Sequence, residues 1–243
     1  DSQAPIPSNQ IELNYIGSFD PSGASTSTCE IVVHDPTSQR LFTTSAVAGY
    51  LDIIDFSNPT NPSVISSVNI NPYGGVTSVA VKNGIVAVAS PNADETLNGS
   101  IVFFNNNGTF LNQVTVGALP DMITFSPDGT KVMTANEGQP NTDYSIDPEG
   151  SVSIVDISGG IASLSQSNVT TLLFTAYNTQ EATLIASGVR KLKSTSTLSQ
   201  DFEPEYITIS ADSQKAWVSL QENNAIAEIN LTNNTISEVW ALG

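Results

Sequence analysis

The fold is decided by a repeated segment that is clearest in residues 120–157, which read PDMITFSPDGTKVMTANEGQPNTDYSIDPEGSVSIVDI. Three β-rich stretches occur in it, separated first by the turn at 126–129 and then by a longer polar loop. The turn has the Pro, Asp and Gly chemistry of a hairpin connection. Its flanking stretches alternate and are rich in Val, Ile, Thr and Phe. The segment therefore predicts three successive antiparallel strands.

The same order of stretches recurs in residues 29–56, 76–104 and 204–231. Each unit has a short β stretch, a turn, a second β stretch, a variable loop and a third β stretch. A fourth candidate strand follows the third, as in residues 63–70, 109–116 and 235–242. Four strands in each repeated unit is the pattern of a β-propeller blade.

These repeats predict an all-β chain, with residues 1–243 forming a single partial β-propeller domain. Its four-stranded antiparallel blades are expected at roughly 15–70, 74–117, 118–177 and 203–243. A ring of four blades would be small, so we expect the N-terminal half of a seven- or eight-bladed propeller. The remaining half, or another copy of the chain, would close the ring. A short helix is expected at 180–188 and almost none elsewhere.

Charge is the strongest feature of the composition. The chain has 24 Asp and Glu residues against 7 Lys and Arg, a formal net charge of -17. Such an excess disfavours nucleic acids and anionic membranes as partners, and no apolar run reaches the ~20 residues of a membrane-spanning helix. The charge favours divalent cations, cationic partners or a saline exterior, although an acidic solvated surface is the plain alternative.

Blade geometry predicts where the carboxylates meet. The first strand of a blade starts at the face where the second strand ends, so first-strand starts and the loops after second strands surround one mouth of the central channel. Six carboxylates fall at these places: Glu30, Asp121, Glu137, Glu203, Glu205 and Glu222. Like charges brought together need a counter-charge or a raised pKa. We therefore expect a site for Ca²⁺, or another divalent metal, with oxygen ligands; otherwise these groups cap strands and face water.

Three other side chains carry specific expectations. Arg190 is a rare positive charge shortly before the acidic run at 203–205 and is a candidate anion clamp, with ordinary surface pairing as the alternative. Cys29 and His34 are the one cysteine and the one histidine. This count excludes Cys/His zinc sites and disfavours a Cys–His dyad. We expect Cys29 to be a buried, inert thiol.

Glycosylation signals point to an extracellular setting. The triplet Asn-x-Ser/Thr is the acceptor for N-linked glycans, although each single match is weak. It occurs at Asn98, Asn107, Asn168, Asn230 and Asn233. Together with the net charge, these triplets favour a secreted or cell-surface glycoprotein.

Four stretches resemble a known family: TANEGQP at 134–140, DPEGSVSIVDI at 147–157, QDFEPEYITIS at 200–210 and LQENNAIAEINL at 220–231. They are similar to the choice-of-anchor I domain, also met as the mesenchyme-specific cell surface glycoprotein, and residues 29–42 match its opening blade. The resemblance implies an extracellular β-propeller whose domain continues beyond this length. Some members are fused to nucleotidase or phosphatase modules, or labelled alkaline phosphatase-like. Gln139-Pro140 departs from the acidic residue of many relatives, which weakens that loop as a full metal ligand set.

Two functions of different classes follow. The first is a secreted or cell-surface module with a Ca²⁺-binding mouth, which takes an extracellular protein or glycan ligand in adhesion, matrix or filament assembly. The second is a metal-dependent extracellular phosphoesterase, in which clustered carboxylates hold the metal and Arg190 clamps the phosphate. No nucleophile motif supports the second function.

Overall fold

The structure is a computed structural model, and it describes residues 11–21 and 29–243. Within these residues the chain folds into sixteen strands and two short α-helices. The strands are β1 Cys29–Asp35, β2 Arg40–Ser45, β3 Tyr50–Asp55, β4 Ser63–Asn69, β5 Ser78–Lys82, β6 Ile85–Ser90, β7 Asn98–Asn105, β8 Phe110–Ala118, β9 Pro120–Phe125, β10 Lys131–Asn136, β11 Ser151–Asp156, β12 Val169–Leu173, β13 Pro204–Ile209, β14 Lys215–Leu220, β15 Ala225–Asn230 and β16 Thr235–Ala241. The helices are α1 Glu181–Ser187 and α2 Leu198–Asp201.

The strands form four antiparallel sheets of four strands each, and every sheet follows chain order. We number these sheets blades 1 to 4: β1–β4, β5–β8, β9–β12 and β13–β16. All sixteen pair as the repeated segments predict, so the four-stranded propeller blade is confirmed. The predicted first blade starts at residue 15, whereas its first strand begins at Cys29. Residues 1–10 and 22–28 of the predicted domain lie outside the described residues.

Hydrophobic layers between neighbouring blades form the core. In blade 2, Val86 and Val88 face blade 1, whereas Ala87 and Ala89 belong to the layer shared with blade 3. Both faces of β6 are therefore buried, which explains its continuous apolar run Ile85–Ala89. Burial of a valine side chain such as Val86 or Val88 stabilises the fold by roughly 1.5–3 kcal/mol.

The link between blades 3 and 4 carries the helices. Helix α1 lies within the predicted 180–188, so that prediction is confirmed. It ends at Gly188, whose φ of 113° is a left-handed cap that glycine adopts without strain, and the Gly188 amide donates to the Leu184 and Ile185 carbonyls. Leu184 and Leu198 join the core between blades 3 and 4, so the link packs on the blades.

The prediction for Cys29 is wrong, because its thiol is free and exposed. Its apolar neighbourhood suggested burial, but Cys29 begins the first strand of blade 1, on the side that no described blade covers. In a propeller, a side chain on the face of a blade is buried by the neighbouring blade. Local sequence does not show whether a blade has a neighbour on that side.

Candidate functional site at the acidic mouth

The four first strands line a common channel. Side chains of β1, β5, β9 and β13 line a cavity of about 660 Å³, with Glu30 near one end of β1 and His34 near the other. The channel is therefore built by equivalent strands of all four blades. We call the end of the channel near Glu30 the mouth; of the six predicted carboxylates, Glu30 lines this cavity.

Three carboxylates lie at irregular positions of these strands. The pairing register shifts between Cys29 and Val32 in β1, between Pro120 and Met122 in β9, and between Pro204 and Ile207 in β13. The residues inside these shifts include Glu30, Asp121 and Glu205. A β-bulge re-aims a side chain and ends regular pairing locally. The bulges therefore turn these three carboxylates away from the direction that a regular strand would give them at the channel mouth.

Side-chain oxygens of the second strands satisfy the amides that two of these bulges release. The Ile31 amide donates to Thr44 Oγ1 at 3.2 Å, and the Tyr206 amide donates to Ser219 Oγ at 3.0 Å. Thr44 and Ser219 are each the last residue but one of their strand. Sequence reasoning missed these bulges, although a hydroxyl residue at this repeated position was a signal for them.

Glu137 comes directly after β10 in the loop between the second and third strands of blade 3. Its amide donates to the Leu119 carbonyl at 2.8 Å, and the Gln139 side chain donates to its Oε1. Gly138 has a φ of 70°, and a Cβ there would lie 2.8 Å from the Glu149 carbonyl oxygen. This close turn holds the Glu137 carboxylate half-buried at the mouth.

Glu203 lies between α2 and β13, next to a buried polar cluster. Its amide donates to Oδ1 of Asn223 at 3.2 Å, and Asn223 is fully buried. The Asn223 Nδ2 group donates to the Asp201 carbonyl at 2.8 Å and to Oδ2 of Asp201 at 3.0 Å. The buried Asp201 carboxylate also accepts the Leu192 and Lys193 amides, at 2.8 and 2.7 Å. These hydrogen bonds fix the backbone from which the Glu203 side chain projects.

Burial and mutual repulsion raise the pKa values of four mouth carboxylates. Burial is the largest cause for both Glu137 and Glu203, and the pKa of each is raised to about 7. Repulsion adds to this from Asp121, Glu203 and Glu205 in the case of Glu137, and from Glu222, Asp201, Glu205 and Asp147 in the case of Glu203. Gln139 opposes part of the shift at Glu137 by stabilising its charged form.

Asp121 and Glu205 are the other two mouth carboxylates whose pKa values are raised. Burial, and then the charge of Glu30, raises the pKa of Asp121. Burial, and then Asp121 and Glu222, raises the pKa of Glu205. Repulsion thus connects all six carboxylates that the sequence placed at the mouth: Glu30, Asp121, Glu137, Glu203, Glu205 and Glu222.

The donor chemistry at this mouth suits a hard cation, because the charged side chains there end in oxygen. Their spacing is looser than a direct metal site, since no three His, Cys, Asp or Glu side chains in residues 11–21 and 29–243 could hold one ion together. A cation at the mouth would therefore need water molecules or loop carbonyls among its ligands. The metal roles of the six carboxylates stay predictions.

Other acidic loop residues are used in hydrogen bonds. Oδ2 of Asp147 accepts a hydrogen bond from Ser196, and Oε1 of Glu149 accepts one from Ser199 at 2.9 Å. Oδ1 of Asp143 accepts the Ser145 hydroxyl at 2.7 Å. The bonds of Asp147 and Glu149 dock the 139–150 loop onto the link before β13, whereas the bond of Asp143 lies within the loop.

Arg190 and Lys191 make no ion pair with the six mouth carboxylates. Arg190 is exposed, its amide donates to the Asn223 carbonyl at 2.8 Å, and its guanidinium has no ion pair within the described part of the chain. Lys191 pairs with Glu181 at 2.8 Å. The anion clamp at Arg190 stays a prediction.

The predicted glycan acceptors differ in exposure. Asn98, Asn107 and Asn233 are exposed, whereas Asn168 and Asn230 are half-buried. Oδ1 of Asn230 accepts the Thr232 hydroxyl at 2.6 Å. Use of these sites stays a prediction. In the described residues, no helix combines the length and the apolar character that crossing a membrane requires.

Comparison with known proteins gives one family match. The model of the choice-of-anchor I domain matches residues 30–243. This range contains the four blades, apart from Cys29 at the start of β1, and all six mouth carboxylates. No curated protein matches the chain.

Solved structures show the same fold at low sequence identity. A functionally unknown protein from Desulfotomaculum acetoxidans is 13% identical with a TM-score of 0.57, over 86% of this chain and 56% of that one. Hsv2 of Kluyveromyces lactis is 8% identical with a TM-score of 0.53, over 88% of this chain and 51% of that one. A chain of a nidogen/laminin complex is 11% identical with a TM-score of 0.51, over 86% of this chain and 62% of that one. The chain thus spans little more than half of these propeller-like structures.

Proposed function

Because the chain belongs to the choice-of-anchor I domain family, we propose that it is a secreted or cell-surface β-propeller module whose acidic mouth binds Ca²⁺. The bound cation stiffens the mouth, and the surface around it engages an extracellular protein or glycan in adhesion, matrix or filament assembly. The family, the acidic composition and the exposed Asn-x-Ser/Thr triplets support the extracellular setting.

One feature of the structure carries the cation proposal: Glu137 and Glu203 are both half-buried beside other carboxylates, and this burial and repulsion raise the pKa of each to about 7. The fold holds these carboxylates half-buried and close to other negative charges, so ionisation there is unfavourable. A divalent cation at the mouth would favour the charged forms and lower both pKa values. Binding would then release protons at neutral pH. Glu205, Asp121 and loop carbonyls are available as further oxygen donors, with water completing the ligand set.

The nature of the partner is argued from charge and fold. A net charge of -17 favours a partner with a positive patch, and such an attraction weakens as salt rises. One of the similar folds was solved in a nidogen/laminin complex. That likeness is to the fold alone, and it supports the general idea that a propeller surface serves as a protein-binding platform.

Isothermal titration of the metal-free protein with CaCl₂ at pH 7.5 tests the cation site. We expect saturable binding with proton release in the native protein, and at least a tenfold loss of affinity in Glu137→Gln/Glu203→Gln. The matched control is Glu238→Gln, which alters an exposed carboxylate on β16 and should leave binding unchanged. Absence of saturable binding by the native protein would overturn the cation proposal.

The phosphoesterase alternative has no observation in its favour. The described carboxylates do not converge in a direct metal group, and Arg190 makes no ion pair with them. In that alternative, Glu203 or Glu205 would serve as the general base. Hydrolysis of a chromogenic phosphate ester that is lost in Glu203→Gln would restore it.

A further inference from the structure

A polar cavity lies between blades 2 and 3, beside the turn that carries Glu137. Its volume is about 300 Å³, at the lower end of the range for small-ligand sites. Strand β8 of blade 2 lines one side, β11 and β12 of blade 3 line the other, and the 139–150 loop contributes Pro148 and Glu149. Blades 2 and 3 are each packed between two other blades, so this cavity belongs to the middle of the row.

The lining combines hydrogen-bonding groups with apolar surface. Of the described residues that line the cavity, Glu149 is the one with a charged side chain, and none is Lys, Arg or His. The other polar side chains are those of Thr96, Asn98, Ser151 and Thr171. Pro148 and Leu173 add apolar surface, and Leu173 is 48% exposed. The cavity is therefore polar without carrying a group that could pair with an anion.

The Glu149 carboxylate has one oxygen engaged and the other available. Its Oε1 accepts the Ser199 hydroxyl at 2.9 Å, and its Oε2 has no donor among the described residues. The Gly150 amide donates to the Ser199 carbonyl at 3.2 Å, so Ser199 holds both the backbone and the side chain of this part of the loop. An ionised carboxylate can only accept hydrogen bonds, so Oε2 selects a ligand group that donates.

Other side chains of the lining can donate to a ligand. The buried Ser151 Oγ accepts the Asn136 Nδ2 group at 3.1 Å, and its own proton has no acceptor in the part of the chain that the structure describes. The side chains of Asn98 and Thr171 make no hydrogen bond there either. A Cβ at Gly117 would lie 2.3 Å from Ser151 Oγ, so glycine at this position keeps the space beside the hydroxyl open.

A fitting ligand must therefore donate to Glu149, accept from Ser151 and Asn98, and present apolar surface to Leu173. Sugar hydroxyls both donate and accept hydrogen bonds, and the C–H groups of the sugar ring supply the apolar surface. An anionic ligand would face the Glu149 carboxylate with no cation to pair with, which is unfavourable. A simple ammonium ligand can only donate, so it would leave the Ser151 and Asn98 donors without an acceptor.

We propose that this cavity is a subsite for one neutral sugar unit of an extracellular glycan. Glu149 accepts from the sugar hydroxyls, Ser151 and Asn98 donate to them, and Leu173 packs on the ring. The subsite rests on the glycan ligand of the proposed function. It does not need a cation at the mouth, since none of the six mouth carboxylates lines the cavity.

Chemical-shift titration of the ¹⁵N-labelled chain in EDTA tests the subsite. The probes are the methyl glycosides of glucose, galactose, mannose and N-acetylglucosamine, and the protein is made in a bacterial host so that Asn98 carries no N-linked glycan. We expect saturable binding of at least one probe, with a dissociation constant in the millimolar range and with shifts centred on the amides of Gly117, Ser151 and Thr171. Absence of saturable binding up to about 50 mM of each probe, or binding of methyl glucuronide alone, overturns the proposal.

Two variants locate the bound sugar. Thr171→Tyr fills the cavity from an exposed strand position and should weaken binding at least tenfold. Glu149→Gln keeps the size of the side chain but removes the charged acceptor, and it should weaken binding at least threefold. The matched controls are Thr235→Tyr and Glu238→Gln, both at exposed positions of β16, and they should leave binding unchanged.

Circular dichroism melting decides whether the variants are folded, and Leu173→Ser replaces Thr171→Tyr if that variant is not. Folded variants that bind the sugar as tightly as the native chain would place it elsewhere and contradict the subsite. Because EDTA removes divalent cations, this outcome is independent of the CaCl₂ titration: a chain that binds Ca²⁺ but no sugar loses the subsite and keeps the cation site.

Discussion

The amide of Glu203 is hydrogen-bonded to Oδ1 of Asn223 at 3.2 Å. The other end of the same buried side chain donates to the carbonyls of Asp201 and Arg190, at 2.8 and 3.2 Å. One amide group therefore ties the start of β13 to the loop after β14 and to the link that precedes both. The position of Glu203 relative to Glu222 follows from this one residue.

We expect Asn223→Leu to lower the free energy of unfolding by about 2–4 kcal/mol, because it leaves several buried backbone and carboxylate groups without partners. Urea unfolding followed by fluorescence measures the loss. Asn233→Leu is the matched control at an exposed position and should change stability by less than about 0.5 kcal/mol. Equal effects of the two substitutions would show that the buried cluster is not what holds this region together.

The pH dependence of stability should reverse the usual behaviour of carboxylates. Glu137 and Glu203 have folded-state pKa values of about 7 against an ordinary value of 4.5. Their contribution to stability is therefore fully present below about pH 4.5 and is lost as pH rises through 7. Since both are half-exposed, we expect a combined loss of about 1–2 kcal/mol between pH 5 and 8, measured by urea unfolding in metal-free buffer.

The double variant Glu137→Gln/Glu203→Gln should flatten this part of the pH profile. Several exposed aspartates have lowered pKa values, caused chiefly by side-chain and backbone hydrogen bonds, as at Asp143 and Asp212. Their stabilising contributions are lost only as pH falls below the ordinary value of 3.8, so they do not affect the window above pH 5. A profile that stays steep in the double variant would assign the effect to other groups.

Gly150 lies where the 139–150 loop comes close to the link between blades 3 and 4. A Cβ at this position would lie 1.9 Å from the Phe202 carbonyl oxygen, which is backbone and cannot rotate away. We expect Gly150→Ala to destabilise the protein by roughly 2–3 kcal/mol through this overlap. At Gly159 the nearest atom to an added Cβ is Ser163 Oγ at 3.4 Å, so Gly159→Ala should be neutral or slightly stabilising. Thermal unfolding of the two variants tests the difference.

The sequence alone predicts the repeat, the strand order and which ends of the strands carry Glu30, Asp121 and Glu205, because four copies of one pattern fix the geometry of a blade. It does not reveal the bulges that orient these carboxylates, since a bulge depends on cross-strand register. Asp147 and Glu149 follow Glu137 in the same acidic loop, and serines 49 and 50 residues further along the chain hold their carboxylates. Such long-range contacts leave no local signal. In the sequence, Asn223 is one of several polar residues in a turn, and no local pattern distinguishes it from its neighbours.

The hydrogen bonds of Arg40 join blade 1 to blade 2, and a substitution of Arg40 can test this interface. Its guanidinium crosses to the turn after β7 and is bound there by a backbone carbonyl and an amide oxygen. Because these acceptors are uncharged, the bonds should survive high salt, unlike an exposed ion pair. We expect Arg40→Gln to lower the free energy of unfolding by about 1–2 kcal/mol, by nearly the same amount at 0.1 and 1 M NaCl.

Arg190→Gln removes an exposed guanidinium that has no ion pair among the described residues and should change stability by less than about 0.5 kcal/mol. If 1 M NaCl abolished the Arg40 effect, the contact would be mainly an attraction to acidic residues such as Asp55, and the blade junction would owe little to the carbonyl contacts.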